Sequence, residues 1–229
     1  MATVTSDHRI PTLREERRAA RAALRDDLSG AGPVLEERPP VRFPGATAKF
    51  QLFGEVMLVG LLVALVALPI VTIPAALVAG IRHLRRFIAA EGSSMADFWA
   101  DVRAALSGGL AVGGVSLVIA ALLTFDITLA ATGMLPGGAA IAAVGWTGLA
   151  ALGGALLRAA ASWTPERGWR GAVRDLPRVA AADPAGAIYF IVAAAFVGVV
   201  TWMLVPLLVL GLGCAVFAAV AVPHRRGRA

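Results

Sequence analysis

Asp126, in the run LLTFDITLA, is the one carboxylate within the central apolar spans, and Thr124, Thr128 and Thr132 stand near it. An ionisable group at such a position marks a functional site by default, here one that binds a polyol or takes part in proton coupling. It also lies only five or six residues from the end of its span, which equally suits a residue at the outer interface. Glu55 follows Lys49 by six residues and is expected at the inner interface. Thr72 lies between Pro69 and Pro74 in the segment PIVTIP, where the two prolines should break a helix. Unwound backbone inside a membrane is tolerated only where protein or water satisfies it. Thr72 would then bond the freed carbonyls or a substrate hydroxyl; the plainer reading makes PIVTIP the outer turn of a hairpin. Asp126, Thr72 and Glu55 are thus the candidate polar site, with Pro69 and Pro74 as the helix break.

Other chemistry has little to stand on. The sequence shows no pair of carboxylates at catalytic spacing, no histidine base near a serine or cysteine, no phosphate-cradling glycine loop and no metal-ligand spacing. We expect no enzyme, no metal and no cofactor. His8, His83 and His224 each adjoin an arginine and read as solvated interface residues. Cys214, the single cysteine, lies in an apolar run, which excludes an intramolecular disulfide and suits core packing.

The elements that carry these residues belong to a membrane protein. Hydrophobic residues make up 58% of the 229, charged ones only 16%, and mean hydropathy is +0.76. A soluble chain carries about a quarter of its residues charged. The net charge of +6 comes from 20 arginines and Lys49 against 15 acids. Because the arginines flank apolar spans, anionic lipid headgroups are the expected partner and nucleic acid is not. The first apolar run begins near Leu52, too late for a secretory signal.

Residues 1–48 read as a cytoplasmic tail, with a helix over 12–28 and a proline-rich linker over 29–48. Residues 49–224 form a helical membrane domain, and 225–229 a basic C-terminal tail. Within the domain, 50–68 is about one bilayer crossing in length. Residues 75–90 resume as a helix with Arg82, Arg85 and Arg86 on one stripe and Leu77, Ile81, Leu84 and Ile88 on the other. Ser94 and Asp97 form a capping box. It opens an amphipathic helix whose apolar face is Met95, Phe98, Trp99, Val102 and Leu106, with Asp97, Ala100, Asp101 and Ala104 opposite. Crossings follow at 108–131 and 138–160, joined by the turn Leu135–Gly138. A second amphipathic stretch at 165–182 carries Trp169, Ala172, Val173, Leu176 and Ala180 on one face and Arg167, Arg170, Arg174 and Arg178 on the other, with a kink at Pro177. Residues 186–222 suffice for two crossings with a turn near Pro206. Glycines such as Gly113, Gly114 and Gly154 offer small faces for helix contact, and Trp146, Trp163 and Trp202 suit interfacial anchors. Phe98, Val102 and Arg103 match Trp169, Val173 and Arg174 at an offset of 71, a faint repeat.

Threading follows from the arginines. If 50–90 crosses and returns, all 21 basic residues lie on one side, as the positive-inside rule asks. The fold class is therefore all-α: a polytopic helical membrane protein of three hairpins, 50–90, 108–160 and 186–222, with five to six membrane helices and two amphipathic interfacial helices. Both termini are cytoplasmic. The stripe Arg82, Arg85 and Arg86, like the face Arg167, Arg170, Arg174 and Arg178, is expected to meet lipid or a partner.

The run ALPIVTIPAALVAGIRHLRRFIAAEGSSMADFWADVRAAL, Ala67 to Leu106, resembles the YesL-type family of bacterial integral membrane proteins. In that family a first membrane helix ends in a proline-isoleucine-threonine segment, an alanine-rich basic helix follows, and then a short helix with aromatic residues. Here these are Pro69 to Ile73, Ala75 to Arg86, and Phe98 with Trp99. The family often has a glycine after the threonine-isoleucine step, where this chain goes directly to Pro74. The resemblance implies association with carbohydrate uptake systems and brings no catalytic residues. The expectation is a non-enzymatic accessory protein of the bacterial cytoplasmic membrane, beside ABC-type importer subunits. The alternative is a small solute transporter or channel acting as a homo-oligomer, with Asp126 and Thr72 lining the path.

Overall fold

The computed structural model describes residues 44–91, 93–133 and 136–224. Its contacts separate Met1–Thr47 from Ala48–Ala229, and the bundle described here belongs to the second unit. The expected helix over 12–28, most of the linker and the tail 225–229 lie outside the described residues. Every element among the described residues is a helix. Four of them, over Lys49–Val66, Met95–Ala131, Gly138–Ser162 and Pro184–Met203, are long and apolar enough to cross a membrane.

Helix α1 (Pro44–Val66) begins inside the stretch expected as linker. A turn over 67–72 follows, then α2 (Ile73–Ile88). Pro74 is not part of the break: it sits in the first turn of α2, where a missing N–H costs nothing. The turn closes on itself. Ile70 N–H donates to Ala67 O at 2.8 Å, Ile73 N–H to Ile70 O at 3.0 Å, and the Thr72 hydroxyl to Val66 O. Ile70 adopts φ 59°, a left-handed conformation that costs a β-branched residue about 1–3 kcal/mol.

α2 runs antiparallel to α1, so that Gly80 faces Val63 and Val59. It was expected as an amphipathic leg returning to the interface. Instead it is the centre of the bundle: α1, α3, α4 and α8 all pack on it, and ten of its residues are buried, Leu77, Ile81 and Leu84 among them. The turn before it is not at the bundle's outer end. It packs beside Gly113 to Ala120 of α3 and Leu149 to Leu156 of α4, well inside both helices. Gly113 permits this approach, because a Cβ there would lie 1.9 Å from Val71 O.

α3 (Met95–Ala131) bends at Ser107 and Gly108, whose φ of 80° breaks the helix between the expected surface segment and the expected crossing. Its capping box at Ser94 and Asp97 is formed. α4 (Gly138–Ser162) starts after Gly137 at φ 79°. Short helices α5 (Gly168–Arg174) and α6 (Leu176–Ala182) meet at Asp175, two residues before Pro177. α7 (Pro184–Met203) and α8 (Leu207–His224) turn at residues 204–206. α1 and α8 cross closely, as a Cβ on Gly60 would lie 2.1 Å from Val209 O and one on Gly213 2.4 Å from Val56 O.

Candidate functional site

Among the described residues, the buried polar side chains His83 and Asp101 meet at the C-terminal half of α2. His83, on the buried side of that helix, is 2% exposed and its Nε2 lies 2.7 Å from Glu55 Oε1 on α1. His83 is not the solvated residue expected from sequence, because burial leaves it and Glu55 as each other's partner. Phe98 closes the pocket edge-on, 6.0 Å from the imidazole. His83 Nδ1 is buried with no hydrogen-bond partner among the described residues.

One helical turn separates Arg82 from Arg86, so both reach the same point on α3. Arg82 Nε donates to Asp101 Oδ1 at 2.8 Å and Arg86 Nη2 to Asp101 Oδ2 at 2.5 Å. Asp101 was placed on the polar, outward face of its helix. The observed buried face is Phe98, Asp101, Val102 and Ala105, rotated by roughly 60° from the expected arc at 100° per residue, which leaves Met95 and Trp99 exposed. With that rotation the nearly buried Asp101 faces both arginines, which leaves its carboxylate paired.

Arg85 Nη2 donates to Ala161 O at 2.8 Å. That carbonyl belongs to the last turn of α4, where carbonyls lack helical partners and the helix dipole favours a cation. The Arg82 guanidinium also lies 5.8 Å from the centre of the Trp163 ring. Trp163 is 3% exposed and packs on Trp169, whose indole N–H donates to Ala105 O at 2.7 Å. Trp163 is therefore a core residue and no interfacial anchor, whereas Trp146 and Trp202 are exposed and meet edge to face at 6.4 Å. The stripe Arg82, Arg85 and Arg86, expected at headgroups, is thus turned inward as the fastening between α2, α3 and α4.

The remaining candidates are scattered. Asp126 lies on the exposed side of α3, and the Thr124 and Thr128 hydroxyls donate to Ala120 O and Phe125 O of their own helix. Thr72 spends its hydroxyl on the turn, about 16 Å along α2 from His83. So Asp126, Thr72 and Glu55 do not converge. The cavity beside the turn, about 470 Å³, is lined by aliphatic residues such as Leu68, Ile73, Leu157 and Val197. Among the described residues no group of three or more His, Cys, Asp or Glu could hold a metal ion.

The second arginine face is different. Trp169 and Ala172 anchor α5 in the core, while Arg167, Arg170, Arg174 and Arg178 are exposed. Arg167 has a loose pairing with Asp175 at 3.8 Å; Arg170, Arg174 and Arg178 form no ion pair among the described residues. Nearby, hydrogen bonds from its own backbone and from the Thr164 hydroxyl hold the Glu166 carboxyl below the usual glutamate range. No family model, curated protein or solved structure matches the chain. What the arrangement can do is read from the residues themselves: the α2 cluster offers charge-paired fastening in a low-dielectric interior, and α5 with α6 offers uncommitted cations.

Proposed function

We propose that the chain is a non-enzymatic, multi-pass protein of the bacterial cytoplasmic membrane that presents the exposed arginines of α5 and α6 as a docking face, and that it works as an accessory to a carbohydrate importer. One observation supports this most directly: the arginines divide into two sets. Arg82, Arg85 and Arg86 are consumed inside the bundle, whereas Arg170, Arg174 and Arg178 project from a helix pair pinned by buried Trp169. Cations left without internal partners on a pinned element suit anionic surfaces. The importer as partner rests on the resemblance of Ala67 to Leu106 to YesL-type proteins. In this reading α3, α4, α7 and α8 cross the membrane, α1 and α2 form a re-entrant hairpin, the segments 95–106 and 168–182 lie at the cytoplasmic interface, and both termini are cytoplasmic.

The test is a pull-down of the tagged protein from native membranes after brief cross-linking, with partners identified by mass spectrometry. Permease or ATPase subunits of an importer should be recovered with the wild-type chain and lost with Arg170→Gln/Arg174→Gln/Arg178→Gln. Recovery of the protein alone, or of the same partners with the triple variant, would overturn the reading.

A second reading, a transport path between copies of the chain, draws on Asp126, which stands on an exposed apolar face beside Phe125. It predicts solute flux in liposomes that Asp126→Asn abolishes.

A further inference from the structure

The docking face has an apolar continuation. On α5, Arg170, Val173 and Arg174 are spaced i, i+3 and i+4 and share one exposed side of the helix. Val173 is also a wall of a groove, as is Leu176 at the start of α6. The groove runs between α3 and α4, from Ala111 and Ala159 beside α5 to Ile119 and Leu152 away from it, and encloses about 360 Å³. Eight residues of helix give it a length of about 12 Å. Its only polar lining side chain is Ser116, so nothing in it repels a hydrocarbon. Arg174 adjoins groove-lining Val173 in the chain and Arg170 precedes it by one helical turn; both are exposed, and neither has an ion-pair partner among the described residues.

A greasy slot bordered by a short helix that carries two unpaired, exposed arginines suits an amphiphile with a negative head. A free phosphate would satisfy the arginines and leave the groove unexplained; a neutral lipid would do the reverse. We infer that this is a binding site for one acidic phospholipid, with an acyl chain lying along the α3–α4 groove and the phosphate held by Arg170 and Arg174. Guanidinium groups suit this task because two parallel N–H donors match two phosphate oxygens. The inference rests on the proposed docking face and names what that face holds. The lipid would also fill the space under α5, coupling the face to the bundle.

The experiment uses the full chain, purified in a neutral detergent and incorporated into nanodiscs of phosphatidylcholine carrying a few per cent of phosphatidylglycerol. Bound lipid is counted directly by native mass spectrometry of protein released from the discs. Three variants are compared with the wild type: Arg170→Gln/Arg174→Gln, its control Arg170→Lys/Arg174→Lys, and Ala111→Phe, which fills the groove from an exposed position. Helicity and monodispersity show that each is folded.

The wild type should retain phosphatidylglycerol over phosphatidylcholine. The glutamine variant should lose about thirty-fold in that preference, the effect expected of two arginines near a charged surface. The lysine variant should keep most of it. Ala111→Phe should release the lipid although both arginines remain, and soluble glycerol phosphate should not compete. If the glutamine variant loses the preference but Ala111→Phe does not, the groove is not occupied and this inference falls, while the basic docking face stands. If neither variant alters retention, both the inference and a lipid-binding docking face are wrong. Competition by glycerol phosphate at equal concentration would show a site for the phosphate group alone and would also overturn the proposal.

Discussion

Asp101 holds two guanidinium groups with its two oxygens, at 2.8 and 2.5 Å, in a position where its side chain is only 10% exposed. Removing one member of a buried ionic cluster leaves the others without compensation and costs about 3–5 kcal/mol. Asp101→Ala should therefore lower stability by about 3 kcal/mol in detergent unfolding, whereas Asp126→Ala, on the exposed side of α3, should change it by less than about 0.5 kcal/mol. Glu55→Ala strips His83 of its one hydrogen bond in a buried setting and should cost about 1–3 kcal/mol by the same measurement. The sequence placed the acids differently. Asp126 drew notice because it interrupts an apolar run, but depth in sequence says nothing about which side of a helix faces the bundle. Glu55 and His83 are 28 residues apart and nothing in their spacing joins them. Asp101 and the arginines were each recognised as a polar stripe, and only tertiary packing could show that the stripes face one another.

At the scale of elements, the boundaries were the legible part. Gly108, Gly137, Pro177 and Pro206 mark breaks because glycine at positive φ and proline without an N–H act locally, whereas Pro74, expected as a break, is absorbed in the first turn of α2. What α2 does was not legible. Three arginines and a histidine in sixteen residues resemble an interfacial helix, yet the chain buries it by supplying Asp101, Glu55 and Ala161 O as partners. The close approach of the turn to α3 depends on Gly113. Gly113→Ala would push a methyl group into Val71 O, and we expect a loss of about 1–3 kcal/mol in unfolding, typical of an overpacked core. Gly114→Ala, where nothing lies within 4 Å, is the control and should be neutral or slightly stabilising.

For the whole molecule, composition alone pointed to a helical membrane protein, since 58% of the residues are hydrophobic and only 16% charged. The four long apolar helices agree with it. The depth of the 67–72 turn was beyond the sequence: the 19 mostly apolar residues of 50–68 are enough for a crossing, and length cannot distinguish a crossing from a hairpin that stops beside the middle of α4. The proposed topology is a bundle with one basic side, organised around a re-entrant α1–α2 hairpin. Labelling of single cysteines with a membrane-impermeant maleimide, in a Cys214→Ala background, tests it most directly. Pro136→Cys and Val205→Cys should react in intact spheroplasts; Glu91→Cys and Glu166→Cys should react only after permeabilisation, and Ile70→Cys in neither state. Labelling of Glu91→Cys from outside, or of Ile70→Cys as readily as Pro136→Cys, would overturn this topology.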